Sequence, residues 1–342
     1  ARDGSLFVND NGIVDGETYE IVTYDSAPGS FTDLPALPAG FQTIVSATSI
    51  SIEPGCVSWT GAGGDDLWSN TGNWSTGLVP TGSDVVCLDG TGEVVIDGST
   101  NATVERFEVA DQRIRIDTGG ALTVNDLSFF EQGVEVNGVL TGAGDVVLRG
   151  SSTVTGTIDG LISVDSGANL VLAGGAIIAA TATSNDVINL GSVVVTASDL
   201  LLGDGVSISN EGEWVFGLPA PQDVTAVSTA TFDNRATLDL RVSEATFDPG
   251  VTLQFGPTSV LRTTIDGPSS GSAFGSLTSP GVAVTSGTSL VVDQDPSVPY
   301  SPTALDVYDV LDCGATACAP FDTATLPGGL VQFVVLSLIH IS

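Results

Sequence analysis

The chain has 342 residues, with 41 acidic side chains against 8 basic ones, and its formal net charge is −33. Phosphate backbones and anionic lipid recruit proteins through lysine and arginine, so a polyanion with no lysine at all is excluded as a nucleic-acid binder. Hydrophobic residues reach 42 %, enough for a core, and are mostly Val, Leu, Ile and Ala with 6 % aromatics and no methionine, which favours strands over disorder. No run approaches the roughly 18 apolar residues that a bilayer crossing demands, so no membrane insertion is expected.

Residues 1–53 carry Tyr19-Glu20-Ile21-Val22, Phe31, Leu37-Pro38-Ala39-Gly40-Phe41 and Val45. The same order returns near the other end as Tyr308-Asp309-Val310-Leu311, Phe321, Leu326-Pro327-Gly328-Gly329-Leu330 and Val334. The tyrosines and the Leu-Pro pairs are both 289 positions apart, with the phenylalanine slipped by one. Upstream, Gly4-Ser5-Leu6-Phe7-Val8 corresponds to Gly287-Thr288-Ser289-Leu290-Val291 with a five-residue difference in length. Self-similarity at a fixed separation marks a repeated unit. Residues 1–53 therefore read as the closing module of a preceding unit, and 54–336 as one unit that ends in the same module at 287–336.

Residues 54–100 read as an opening, capping segment. Trp59, Trp68 and Trp74 fall within sixteen residues. Indole faces stack on sugar rings, which makes these three the candidate glycan contacts. Their spacing also suits a folded-over loop that covers the first strands and shields an open edge. Cys56 and Cys87 flank the segment, and Cys313 and Cys318 lie in the closing module. Four cysteines permit three pairings, of which the sequence-local one joins Cys56 to Cys87 and Cys313 to Cys318. A metal site is disfavoured because neither pair has C-x-x-C spacing or a nearby histidine. Disulfides point to an extracellular or cell-surface location. Asn73-Trp74-Ser75 and Asn101-Ala102-Thr103 fit the glycosylation sequon.

Within 101–286, Leu122-Thr123-Val124, Val146-Val147-Leu148 and Leu170-Val171-Leu172 begin 24 positions apart, and Val193-Val194-Val195 follows one position sooner than that interval. First and third positions are apolar, and Gly, Asp, Asn and Ser separate the triplets. Strands this short make no stable hairpin sheet, yet they stack on the turn above and below. The predicted fold is all-β: a parallel β-helix, or solenoid, of about 24 residues per rung, with small all-β closing modules. A β-sandwich is the competing arrangement, since its strands also recur at intervals of about 8 to about 12 residues.

The run Trp59-Thr60-Gly61, Asp65-Asp66-Leu67-Trp68, Asn73-Trp74-Ser75, then Pro80, Gly82, Asp84 and Val86 resembles the first-coil motif of right-handed β-helical repeats in large bacterial secreted and surface proteins. Autotransporter-like and filamentous-haemagglutinin-like passengers belong to that group. Gly142 to Leu148, Thr231-Phe232-Asp233-Asn234 with Thr237-Leu238, and Gly267 through Gly275-Ser276-Leu277 to Gly287-Thr288-Ser289-Leu290 resemble its rung motifs. The resemblance implies right-handed coiling, secretion and a structural or adhesive role, and it carries over no catalytic residue.

The charged residues point the same way. Arg113 and Arg115, two apart, face one side of a strand and are placed to meet Glu131 or Glu135 on the next rung as a surface ion pair. Proton abstraction from an acidic sugar needs a basic side chain and a cationic or metal partner. Lysine is absent, and the only histidine, His340, lies in residues 337–342, which read as a non-native, adaptor-derived tail. No aspartate or glutamate pair stands out for two-carboxylate hydrolysis. Asp65-Asp66, Asp293-Gln294-Asp295 and Asp309 to Asp312 offer at most weak surface calcium sites, and no cofactor is expected.

With no initiating methionine or signal peptide, the chain is expected to be a piece of a longer secreted protein. The expected function is a non-catalytic extracellular scaffold or adhesin-like repeat unit, with tandem neighbours in the same chain and a surface glycan or cell-surface partner. The alternative is a carbohydrate-binding β-helix module or a polysaccharide-degrading enzyme. A net charge of −33 destabilises a compact state by self-repulsion. The melting temperature is therefore predicted to rise with added salt or calcium, and an unchanged value from low to molar salt in a thermal scan would contradict this.

Overall fold

The computed structural model describes the strands at 19–23 and 41–45, and the chain from residue 49 onward apart from 180–185, 219, 268–273, 281, 295–297, 299–305, 315–320, 328–331, 336–337 and 342. From Val57 to Thr325 the described strands form a parallel β-solenoid. One turn runs through three strands, such as Asn101–Val104, Arg106–Ala110 and Arg113–Ile116, before Ala121–Val124 lies in register on Asn101–Val104. Three columns of stacked strands result. The third is an 11-stranded sheet from Glu93–Ile96 to Thr323–Thr325.

Alternation within each short strand decides which side chains enter the rod. In Arg113–Ile116 the isoleucines are buried and the arginines face out, and Ala121–Val124 and Asn169–Leu172 repeat the pattern. Ile114 stacks on Val94 and Val134, and Leu170 on Val193, all of them buried. Each fully buried aliphatic side chain contributes about 1.5 to 3 kcal/mol relative to exposure. No single turn could bury it alone.

Register corrects the constant rung length. Ten steps carry the third column from Val94 to Ala324, and they are unequal, from 18 positions for Ser152 with Leu170 to 34 for Leu290 with Ala324. The triplets that begin 24 positions apart do not stack on one another. Leu122 pairs with Leu140 in the first column, Val146 with Ser128 and Ile162 in the second, and Leu170 with Ser152 and Val193 in the third. In this stretch the paired positions Leu122 with Leu140 and Ser152 with Leu170 mark one full turn. The interval between triplets exceeds that turn by the length of one side, so each triplet advances by one turn and one column.

The first turn is covered by residues 57–75. Val57–Ser58 pairs with Val85–Leu88, and Leu67 bridges Val95. Val95 N–H donates to the Asp66 carbonyl at 2.8 Å, and Trp68 N–H donates to the Val95 carbonyl at 2.9 Å. The open edge of the third column is thereby satisfied.

Gly160 shows why glycine is needed in a close stack. Its φ is +101°, and a Cβ there would collide with the carbonyl of Gly142 on the turn below. Polar groups also enter the rod in register. Asn189, Asn210 and Asn234 are fully buried on successive turns. Asn189 Nδ2 donates to Asn210 Oδ1, and Asn210 Nδ2 to Asn234 Oδ1, each at 2.7 Å. The same Nδ2 atoms donate to the carbonyls of Glu213 and Thr237. The ladder begins above Val164 and ends below Phe255.

Antiparallel pairing of one design occurs twice among the described strands, in a separate sheet ahead of the solenoid and on the outer side of its last first-column strand. Tyr19–Thr23 pairs with Ser49–Pro54, which pairs with Phe41–Val45. Tyr308–Asp312 pairs with Leu338–Ile341, which pairs with Gln332–Val335. The partners Tyr19 with Ile52, Glu20 with Ser51, Val22 with Ile50 and Thr23 with Ser49 become Tyr308 with Ile341, Asp309 with His340, Leu311 with Ile339 and Asp312 with Leu338. Every pair is displaced by 289 positions, and each set carries its irregularity at the same place, with residues 338–341 of the expected non-native tail standing where Ser49–Pro54 stands in the other set.

Asn210→Ala removes the acceptor of one buried Asn189 Nδ2 hydrogen and the donor to buried Asn234 Oδ1. The expected loss is about 1 to 3 kcal/mol in chemical denaturation, and a loss within error would show the ladder to be energetically idle.

Candidate functional site

The three tryptophans form the interior of the opening segment. Trp68 is fully buried, Trp74 is 3 % exposed and Trp59 8 %. Trp74 meets Trp59 and Trp68 edge-on at ring separations of 4.9 and 4.6 Å. Trp68 continues onto Phe107 and Phe107 onto Phe130, carrying the aromatic stack into the rod. Trp74 Nε1 donates to the Trp68 carbonyl at 2.8 Å. These indole faces lie against protein.

Asp65 and Asn73 hold the loop that carries them. Asn73 is fully buried, and its Nδ2 donates to Asp65 Oδ1 at 2.8 Å and to the Asp65 and Leu67 carbonyls. Its Oδ1 accepts from Gly63 N–H at 2.8 Å. The hydrogen bonds from Asn73, then Asn70 and the Leu67 N–H, hold the Asp65 carboxyl below the ordinary carboxylate range. The Asn73 amide is therefore inaccessible as a sequon acceptor in the fold, while Asn101 is exposed.

Cys56 and Cys87 form a disulfide, closing a loop of 31 residues. Such a loop restricts the unfolded chain by about 3 to 4 kcal/mol on the chain-entropy account. Cys313 is buried and disulfide-bonded, and Cys318 lies outside the described residues.

The arginines build cross-rung networks on the outer surface. Arg113 Nη2 reaches Glu135 at 3.0 Å, and Arg115 Nε reaches Glu93 at 3.0 Å on the opposite neighbouring turn. Arg115 also meets Asp117 at 2.5 Å. Of the two glutamates expected as partners, Glu135 joins this network. Glu131 instead pairs with Arg149, at 2.7 Å, as Asp165 does at 3.2 Å. Arg149 also lies 4.1 Å over the Phe129 ring. Arg235 holds Glu211 and Asp233, and Arg262 approaches Glu213 and Asp293. Exposed pairs contribute about 0 to 1 kcal/mol each. Their larger effect here is to hold like-charged carboxylates from adjacent turns on a shared cation.

Two open grooves lie along the rod. One, of about 670 Å³, is lined by Glu211, Asp233, Arg235, Gln254, Thr258 and Thr285. The other, of about 400 Å³, is lined by Asp223, Thr225, Thr246, Asp248, Pro249 and Pro280. The sequence carries one signal for the first: Glu211 and Arg235 each follow a ladder asparagine, Asn210 and Asn234, so register places them on neighbouring turns. The first groove presents hydroxyls, an amide and carboxylates from neighbouring turns, an arrangement suited to hydrogen-bonding a polyhydroxylated chain, whereas Phe247 and the two prolines make the second largely apolar.

The acidic runs are dispersed. Asp293 approaches Arg262, Asp312 accepts from Gly314 N–H at 2.8 Å, and Asp295 lies outside the described residues. Among the described residues no group of three or more His, Cys, Asp or Glu side chains is placed to hold a metal ion. No described helix is long and apolar enough to cross a membrane. Comparison with family models, with curated proteins and with solved structures found no match.

One carboxylate is unusual. Asp239, 8 % exposed, accepts from Arg241 N–H at 2.9 Å. Burial raises its pKa above the ordinary 3.8, opposed by that hydrogen bond and by the Arg262 and Arg241 charges. A raised folded-state pKa means that the ionised carboxylate costs stability at neutral pH. That cost is relieved as pH falls through the folded value toward 3.8. Asp239→Asn is accordingly expected to melt higher than the parent at pH 7, with the difference closing on acidification. A difference that stays constant across a pH series of melting curves would contradict this.

Proposed function

We propose that the chain is a non-catalytic, extracellular scaffold or adhesin-like repeat unit of a large secreted or surface protein, of the kind found in bacterial autotransporter-like and haemagglutinin-like passengers. The observation that supports this reading is the parallel stack of short strands from Val57 to Thr325, whose last first-column strand, Tyr308–Asp312, repeats in sequence the Tyr19–Thr23 strand 289 positions earlier. A stiff rod that recurs as a unit suits spacing and display. Further support comes from the disulfide at the start of the rod, suited to an oxidising compartment. The arginines support it too, since Arg113, Arg115, Arg149 and Arg235 are engaged in bridging carboxylates between turns rather than gathered at one point.

A surface glycan is the partner class that the polar groove at Glu211 and Arg235 favours, through hydroxyl, carboxylate and amide hydrogen bonds along Asp233, Gln254 and Thr285. The test is incubation of the chain with a panel of neutral and acidic polysaccharides, reading product release and retention on immobilised glycan separately. Retention without product is the expected outcome. Product release that disappears in Glu211→Gln or Asp233→Asn would replace the scaffold by a glycan-degrading enzyme.

A further inference from the structure

We propose that Tyr19–Thr23 is the final rung of a preceding solenoid, and that its outer edge pairs in parallel with the Ser276–Thr278 strand of an upstream copy of this unit.

Tyr308–Asp312 shows what such a strand does. On one side it pairs antiparallel with Leu338–Ile341, and on the other it lies parallel to Ser276–Thr278, with Leu277 opposite Leu311 and Thr278 opposite Asp312. It is the place where the rod's first column hands over to the antiparallel sheet. Tyr19–Thr23 has the first of these partners, Ser49–Pro54, in the same register. It stands at the edge of its sheet among the described residues, so the side that Tyr308–Asp312 gives to the rod is open.

An open strand edge is a template for another strand, and a three-stranded sheet with strands of five or six residues has little stability of its own. The displacement of 289 positions between Tyr19-Glu20-Ile21-Val22 and Tyr308-Asp309-Val310-Leu311 names both the occupant and its register. Upstream Leu277 comes opposite Val22, and upstream Thr278 opposite Thr23.

The same geometry defines the joint between units. Ser49–Pro54 is the central strand of the antiparallel sheet, and only Gly55 and Cys56 separate it from Val57–Ser58, the first strand of this rod. Cys56 is fixed to Cys87 on Val85–Leu88, the strand with which Val57–Ser58 pairs. One polypeptide therefore closes one rod and opens the next within two residues, and a disulfide clamps the crossing. Rods joined this way have no flexible linker between them. The inference rests on backbone register and holds whatever the rod binds.

The test is a fusion in which residues 55–307 of a second copy stand directly ahead of Tyr19, so that residue 307 precedes Tyr19 as it precedes Tyr308. Amide hydrogen exchange is followed residue by residue in the fusion and in the unfused chain. The outer-edge amides of Tyr19–Thr23 are expected to slow by about a hundred-fold in the fusion, approaching those of Tyr308–Asp312 in the same molecule. Val22→Pro in the fusion is expected to abolish that protection while leaving Tyr308–Asp312 unchanged. Unaltered exchange at Tyr19–Thr23 beside protected upstream rungs would overturn the proposal. So would a fusion whose upstream rungs exchange freely, because a joint in the right register completes that rod. Protection that grows with concentration in the unfused chain would assign the edge to association between separate molecules, and would also overturn it. None of these readouts depends on glycan retention, so the joint and the functional reading fail independently.

Discussion

Backbone pairing between successive turns is the constraint on which the rest of this molecule depends. Strands of three to six residues bury too little on their own to offset the entropy of ordering them. Laid in parallel register, each covers the inner face of its neighbour and satisfies its amides and carbonyls. Val94, Ile114 and Val134 become a continuous apolar column only because their strands are stacked. The ends of such a stack are its weak points, and the tryptophan-lined loop, with Leu67 bridged to Val95, satisfies one of them. At the other, Tyr308–Asp312 is the last strand of the first column among the described residues.

In-register stacking also dictates how polar and charged groups are handled. Whatever sits at one position of a strand meets its counterpart on the next turn, which would set carboxylate against carboxylate in a chain of charge −33. The few arginines are placed where this matters, with Arg115 beside Glu93 and Asp117, and Arg149 between Glu131 and Asp165. Inside the rod the same logic gives the asparagine ladder, in which Asn210 donates to the next turn and accepts from the one before. An isolated buried asparagine would be a cost; a file of three satisfies itself except at its ends.

Much of this was legible along the chain. The apolar first and third positions of Leu122-Thr123-Val124 and Leu170-Val171-Leu172 indicated short half-buried strands, and their brevity indicated stacking. The outward pairing of Arg113 and Arg115 followed from strand alternation, and Glu135 does meet Arg113. Spacing misled where it was read as register. Leu122, Val146 and Leu170 are evenly spaced yet belong to three different columns. The short turn from Leu122 to Leu140 and the long one from Leu290 to Ala324 show how far the phase shifts along the rod. Beyond the Glu211 and Arg235 that follow ladder asparagines, the grooves were not legible, since Asp233, Gln254 and Thr285 come together only through the pairing of separate turns.

The sequence by itself determined the class of structure: alternation sets which side chains face inward, and strand length forces stacking. Composition likewise fixed the sign of the surface and left few cations to balance it. Tertiary structure alone decided which turn pairs with which, that Asn189, Asn210 and Asn234 form one file, that Trp74 packs edge-on against both other indoles, and which edge of Tyr19–Thr23 has no partner among the described residues. The reason is physical. Inward or outward direction is a property of one strand and its period of two, whereas register depends on loops whose lengths vary freely until the next turn comes to rest on the last.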